Sequence, residues 1–245
     1  MELIESVNNI KIKQIAKLHT RKERKKSNQF LVEGFHLVEE AAKSNIDIEM
    51  ILTVTPDKLT EVMVANSKQQ FEITFKIAEK LSQTEAPQGI YAVCNMPEQT
   101  DIMLDKVLYL DRIQDPGNVG TIIRTADAAG IDAVIIAKGT VDIYNDKVLR
   151  ASQGSVFHIP VVEMDFEEAK SKVSGKVFGT SLQDATDYKQ VEPTSKFMLI
   201  LGNEGQGVDE SILNQTDENL YVPIHGKADS LNVAVCAGVL LYHLI

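Results

Sequence analysis

Nowhere does this chain of 245 residues carry the ~20 consecutive apolar residues that a membrane-spanning helix needs; its most apolar stretch, Leu231 to Ile245, is shorter. Its start, MELIESVNNIKIKQ, has no apolar core of the kind a secretion signal requires, so the expected compartment is the cytoplasm, with no membrane partner. Cysteine occurs only twice, at Cys94 and Cys236, each inside an apolar segment (GIYAVC and NVAVCAGV). That placement favours buried thiols over a disulfide or a metal site, and no metal is expected. Internal repeats and low-complexity tracts are missing as well. So is a dinucleotide fingerprint: GNEGQG (Gly202 to Gly207) lacks the G-x-G-x-x-G spacing, and no acidic ribose ligand follows at the required distance. An oxidoreductase on a conventional parallel sheet would therefore be without its recognition loop.

Positive charge is scarce overall but unevenly placed. The chain has a net charge of −10, yet residues 1 to 30 hold eight Lys or Arg against three Glu, a local +5 that leaves −15 for the remainder. Contacts to a polyanion depend on local potential, so a basic segment on an acidic body suits a phosphate-facing patch as well as a solvated helix face. At 44% hydrophobic residues the chain can bury a substantial core in one large or two small domains.

The pattern IKIKQIAKL (Ile10 to Leu18) predicts a surface helix, RKERKKSNQ a polar connection, and FLVEG (Phe30 to Gly34) a short strand. A helix over His36 to Ser44, a strand over Ile46 to Val54 and further alternation lead to GIYAVC, which ends at Cys94. The polar stretch after it contains Pro97, which gives a first domain over 1–97, a linker over 98–105 and a second domain over 106–245. In the second domain VLYLD, AVIIA, the segment around HIPVV, KVFGTS, FMLILG and LYVPI recur as strands with helical spacers. That alternation predicts an α/β fold with a mainly parallel sheet and helices on both faces.

Three polar clusters stand at the edges of apolar runs. NVGTIIRT (Asn118 to Thr125) follows VLYLD, GNEGQG follows FMLILG, and DSLNV (Asp229 to Val233) follows YVPI. Parallel strands would deliver all three to one side of a sheet, where open α/β folds place ligands. In the first cluster the loop DRIQDPGNVG leads into a helix TIIRTADAAG that ends at Gly130, and the apolar neighbours of Arg124 call for an anionic or carbonyl partner. Glu204 or Asp111 would serve in a purely structural role. The second cluster can be a plain turn or a place where backbone approaches a ligand, with Glu204 as acceptor. In the third, Asp229 or Ser230 can cap a helix beginning near Leu231, while the amide of Asn232 at the head of an apolar helix needs hydrogen-bond partners.

In this order and with these residues, the clusters resemble the three signature motifs of the SpoU (TrmH) class of RNA ribose 2'-O-methyltransferases within the SPOUT superfamily: NVGTIIRTADAAG, LILGNEGQGV and VPIHGKADSLNVAVCAGVLL. The resemblance spans about residues 106 to 245. The stretch KQIAKLHTRKERKKSNQFLVEGFHLVEEA is similar to the small, ribosomal-protein-like α/β domain that many members carry ahead of the catalytic one and use to contact RNA. The resemblance implies a deep trefoil knot, S-adenosyl-L-methionine as cofactor, a homodimer paired through the C-terminal domain to complete the site, and structured RNA, ribosomal rather than transfer RNA, as substrate. It implies a cofactor cradle of Thr180, Ser181, Leu201, Gly202, Gly205, Ile224, Ser230, Leu231 and Asn232, and places Asn118, Arg124, Glu204, Ser230 and Asn232 around the reacting atoms. Lys17, Arg21, Lys22, Arg24, Lys25 and Lys26 are the expected RNA contacts. A catalytically silent RNA-binding dimer on the same fold is the alternative, distinguished by failure to bind S-adenosylmethionine.

Overall fold

A computed structural model describes residues 1–98 and 105–245; most of the expected linker, residues 99–104, lies outside the described residues. The described chain groups into two units, Met1–Glu98 together with Tyr144–Phe157, and residues 105–143 together with His158–Ile245.

The first unit begins with β1 (Glu2–Ile4), α1 (Ile10–Lys17), α2 (Arg21–Ser27), β2 (Gln29–Glu33) and α3 (Phe35–Lys43), and continues through β3 (Ile48–Thr53), α4 (Glu61–Ala65), β4 (Ser67–Ile73), α5 (Phe75–Leu81) and β5 (Ile90–Asn95). Its sheet runs β1-β4-β3-β5-β2, with β5 antiparallel to both of its neighbours. Strand alternation sends Leu31, Leu52, Tyr91 and Val93 into one cluster with Ile12 and Ile15 of α1 and Ile77 and Leu81 of α5. The stretch RKERKKS is a helix and not the expected polar connection. Thr20 caps it by accepting from the Glu23 backbone N–H, Asn28 closes it in the left-handed conformation, and the Arg24 guanidinium is buried against the Leu18 carbonyl at 2.7 Å. The signal was present as T-x-x-E followed by Asn, but the charge run masked it.

The second unit contains β6 (Lys106–Asp111), α6 (Pro116–Ala128) and β7 (Ala133–Ile136). The chain then supplies α7 (Asp146–Ser152) to the first unit, where Phe30 stacks on Tyr144 with ring centroids 4.3 Å apart and Phe157 lies 6.2 Å from Phe30. It resumes the second unit with β8 (Val161–Glu163), α8 (Phe166–Lys172), β9 (Lys176–Thr180), β10 (Thr186–Asp187), β11 (Phe197–Gly202), α9 (Glu210–Leu213), β12 (Glu218–Tyr221) and α10 (Val233–Leu244). The sheet order is β10-β12-β9-β11-β6-β7-β8, and every pairing in it is parallel. Helices α8 and α9 contribute Phe166, Ala169 and Ile212 to a core with Tyr109, Ile135, Met198 and Ile200, while α6 packs with α10.

Two boundaries move relative to the sequence expectation. The last strand is Glu218–Tyr221, so Val222 to Ile224 belong to the loop beyond it. The first-cluster helix begins at Pro116 with Asp115 as its cap, so Asn118 sits in its first turn and not in a loop.

Candidate active site

Because its strands are parallel, the sheet has one edge where all C-terminal ends emerge, and the order switches there between β6 and β11. Loops after β6, β9, β11 and β12 leave from that edge. Those after β9, β11 and β12 line a cavity of about 690 Å³. All nine residues expected to cradle the cofactor line it: Thr180 and Ser181; Leu201, Gly202 and Gly205; Ile224, Ser230, Leu231 and Asn232. Glu204 lines it as well.

The loop after β11 is a closed turn. Asn203 and Gly207 exchange backbone hydrogen bonds of 3.1 and 2.8 Å, and the Asn203 side-chain oxygen accepts from the Gly205 and Gln206 N–H groups, each at 3.0 Å. Gly202 admits no side chain, since a Cβ there would stand 2.1 Å from the Val208 nitrogen. At Gly205 the nearest atom to such a Cβ is the Asn203 side-chain oxygen at 3.7 Å, so its backbone is bare toward the cavity.

Polar bonds tie the three clusters together. One oxygen of Glu204 accepts from the Asp115 N–H at 3.1 Å and from Asn118 Nδ2 at 3.0 Å, and the other accepts from the Gln114 N–H at 3.1 Å. Asn118 Oδ1 in turn accepts from Asn232 Nδ2 at 2.9 Å. Asn232 Oδ1 caps α10 by accepting from the Ala234 and Val235 N–H groups. Asn232 is thus the helix cap expected of Asp229 or Ser230, and the helix starts at Val233. Burial acts to raise the Glu204 carboxyl, but the hydrogen bonds from Asn118, Gln114 and Asp115 outweigh it and hold the group below the ordinary carboxylate range.

A second network, not anticipated from sequence, locks the β6 and β11 ends. Asp111 is 3% exposed; its carboxylate accepts two 2.9 Å bonds from Arg112 and one of 2.9 Å from the Asp209 N–H. Arg112 also offers a nitrogen to Gln206, and its carbonyl accepts from Asn203 Nδ2 at 2.9 Å. A carboxylate ending an otherwise apolar strand was the available signal, because a buried charge requires a partner.

Arg124 departs from expectation. It is exposed and does not line the cavity, and the carboxylates considered for it are engaged elsewhere, Glu204 by Asn118 and Asp111 by Arg112. Six residues of α-helix turn the chain about 600°, so Asn118 and Arg124 project roughly 120° apart. The stripe bearing Arg124 and, four residues on, Ala128 flanks α10, whose Tyr242 hydroxyl reaches the Ala128 carbonyl. Val235 and Tyr242 of α10, with Leu231 before it and Ile245 at its end, are exposed apolar side chains.

Of the two thiols, Cys94 is fully buried, whereas Cys236 is half-buried and lines the cavity. Burial pushes the Cys236 thiol up to about 11.

Comparison with known proteins agrees with this geometry. The SpoU rRNA Methylase family model matches residues 105–242, and the MRM3-like substrate binding domain model matches residues 9–92. The 23S rRNA (guanosine(2553)-2'-O)-methyltransferase RlmP of Bacillus subtilis is 48% identical, an alignment covering 100% of this chain and 99% of that protein. An rRNA methyltransferase from Sinorhizobium meliloti, solved with AdoMet bound, superposes with a TM-score of 0.90 at 28% identity, covering 99% of this chain and 97% of that one. The AviRb methyltransferase of Streptomyces viridochromogenes, in complex with AdoMet, superposes with a TM-score of 0.86 at 27% identity, covering 97% of each chain.

Proposed function

This chain belongs to the SpoU rRNA methylase family, and on that premise we propose that the cavity at the C-terminal edge of its second sheet is where a ribose 2'-hydroxyl of ribosomal RNA receives a methyl group. The protein is an S-adenosylmethionine-dependent RNA 2'-O-methyltransferase. One observation of the site carries the assignment of the cavity. Among the described residues that line it there is no Lys, Arg or His, while two carboxylates, Glu204 and Asp229, do line it. Such a wall suits a sulfonium cation and repels the phosphates of a dinucleotide.

The residues fit the cofactor. Leu201, Ile224 and Leu231 offer apolar surface for adenine, the bare backbone at Gly205 lets the ligand lie against peptide groups, and Thr180 and Ser181 at the end of β9 complete the wall. When bound, S-adenosylmethionine supplies an electrophilic methyl carbon on a positively charged sulfur. The chain's own contribution is alignment: Glu204 fixes Asn118, Asn118 fixes Asn232, and Asn232 sets the start of α10, so that side of the cavity is preorganised. Ser230 and Asn232 face the incoming sugar. A guanidinium is too weak an acid to give up its proton and serve as a ready proton acceptor, so Arg124 is not proposed as a literal base. It grips an RNA phosphate and orients the hydroxyl, whose proton leaves to phosphate or water.

The exposed apolar stripe of α10 supports a homodimer in which α6 and α10 of each copy pair with those of the other. In that pairing Arg124 serves the partner's cavity, in keeping with its absence from the lining of its own. Trefoil threading is supported by the way the 188–194 segment closes over the end of α10. Thr194 N–H donates to the Leu244 carbonyl at 2.8 Å, and His243 bonds the Val191 carbonyl at 2.7 Å. A crystal structure traced through residues 181–245 tests it. Among the described residues no helix is long and apolar enough to cross a membrane, and a ribosomal RNA substrate supports a cytoplasmic location.

The Bacillus subtilis relative is named for guanosine 2553 of 23S rRNA, which supports 23S rRNA as the target here. Ribose-methylation mapping of total RNA from cells with and without the gene is the test. Loss of one 2'-O-methyl mark in 23S rRNA is expected; an unchanged ribosomal map with a lost transfer-RNA mark would overturn the substrate, and a protein that binds no S-adenosylmethionine would overturn the activity.

A further inference from the structure

The first unit has a second concavity, about 360 Å³, within the roughly 300–1,000 Å³ common for small-ligand pockets. Its walls come from the two basic helices. Lys11, Gln14 and Lys17 follow one another at three-residue steps along α1, each beside the next on the helix surface, and Glu23, Lys26 and Ser27 line the concavity from α2. Of the eight basic residues in the first 30, only Lys11, Lys17 and Lys26 line it; Lys13 and Lys22 are exposed elsewhere and Arg24 is buried.

The floor is apolar. Met50 of β3 and Val93 of β5 are register partners, and together with Ile15 and Leu18 they form the base between the helices. Met50 is the half-exposed member of the pair, and a thioether is a favourable neighbour for an aromatic ring. Lys11 is held in place by its ammonium lying 4.0 Å from the centroid of the Phe71 ring. No carboxylate partner is described for Lys17 or Lys26, whereas the nearby Asp47 and Glu49 are both taken by Lys68, at 2.9 and 3.0 Å. An apolar base under a rim with three cations and one acid, on a chain of net charge −10, matches one chemistry: a flat base with phosphates on either side.

We propose that the groove between α1 and α2 seats an unpaired nucleotide of the RNA substrate, its base against Met50 and its flanking phosphates on Lys11, Lys17 and Lys26. This rests on the RNA-methyltransferase reading above and adds where the substrate is gripped away from the reacting sugar. Duplex RNA keeps its bases stacked and cannot fill the floor, so the groove selects single-stranded or looped segments.

The test uses the full-length protein, a labelled 23S rRNA transcript, and a single-stranded oligoribonucleotide with its duplex form. The Lys17→Glu/Lys26→Glu variant is compared with the charge-matched control Lys13→Glu/Lys76→Glu, at two exposed lysines of the same unit outside the groove, both checked for an unchanged S-adenosylmethionine Kd. The groove variant is expected to raise the Kd for the transcript at least tenfold and to reduce the salt slope by about 1.4, or about 0.7 for each single-strand phosphate left without its lysine. It should raise KM and leave kcat at saturating RNA, and the control should stay within about twofold of wild type. Met50→Ala should weaken the oligoribonucleotide more than its duplex, and photocrosslinking of 4-thiouridine RNA should label the peptide containing Met50. Equal losses in the two charge variants, equal affinity for single strand and duplex, or competition by polyglutamate as strong as by transcript would overturn the groove assignment. A wild-type protein that methylates no RNA would instead overturn the function on which it rests.

Discussion

Asn232 donates a 2.9 Å hydrogen bond to Asn118 across 114 positions of sequence, and the same Asn232 side chain caps α10. The first and third polar clusters are therefore one structural object, and Glu204 of the second holds the far side of Asn118. Removing either asparagine should damage geometry and stability together. Asn232→Ala should lower stability by about 1 kcal/mol through the lost cap and slow methylation by at least about tenfold, with the protein still folded. Asn118→Ala should slow it comparably, and the double variant should be little worse than the worse single one, because the pair acts as a unit. Fully additive losses in single-turnover rate would show the two amides to be independent.

Arg124 stands outside the cavity of its own chain, and its proposed role is to grip an RNA phosphate. Arg124→Lys should leave the S-adenosylmethionine Kd unchanged and reduce the single-turnover rate at saturating RNA by at least about tenfold, since a point charge does not replace a bidentate grip. If Arg124 serves the partner's cavity, mixing inactive Arg124→Ala and Asn232→Ala proteins should restore about one quarter of wild-type activity in statistically reassorted subunits. A mixture as inactive as its components would refute the shared site.

Two glycines of the same loop make opposite demands. Gly202→Ala forces a Cβ to 2.1 Å from the Val208 backbone nitrogen, so the loop must shift and thermal stability should fall. Gly205→Ala meets nothing closer than 3.7 Å and should melt like wild type while binding S-adenosylmethionine more weakly. Calorimetry that finds unaltered affinity would remove Gly205 from the cradle.

The depressed Glu204 carboxyl gives the site a pH signature. A folded-state value below the unfolded one contributes stability that is fully present above the ordinary carboxylate range and is lost as pH falls through the folded value. Melting temperature should therefore drop more steeply in wild type than in Glu204→Gln below about pH 4. Parallel acid profiles for the two proteins would mean that the Glu204 hydrogen bonds do not distinguish its charged form.

Cys236 provides a reporter inside the cavity. With its thiol pushed up to about 11 by burial, alkylation by iodoacetamide should be slow near neutral pH, accelerate toward that value, and be suppressed by S-adenosylmethionine. Mass spectrometry of the intact protein reads this directly, with Cys94 unmodified throughout the native range. Alkylation at Cys236 indifferent to the cofactor would place the ligand elsewhere.

The sequence by itself determined what is local. Apolar runs such as VLYLD and FMLILG specified buried parallel strands, and polar clusters at their C-terminal ends marked where a ligand would sit, because strand period and loop composition are carried by neighbouring residues. Even the missed α2 was written locally, in Thr20, Glu23 and Asn28. Only the tertiary structure decided the partners: Glu204 with Asn118, 86 positions away, rather than with Arg124; Asp111 with the Asp209 N–H; and residues Tyr144–Phe157 with the first unit. Those choices depend on which strand ends the sheet order brings side by side and on which face a helix turns inward. Both are set by packing of the whole core, which no short window of sequence contains.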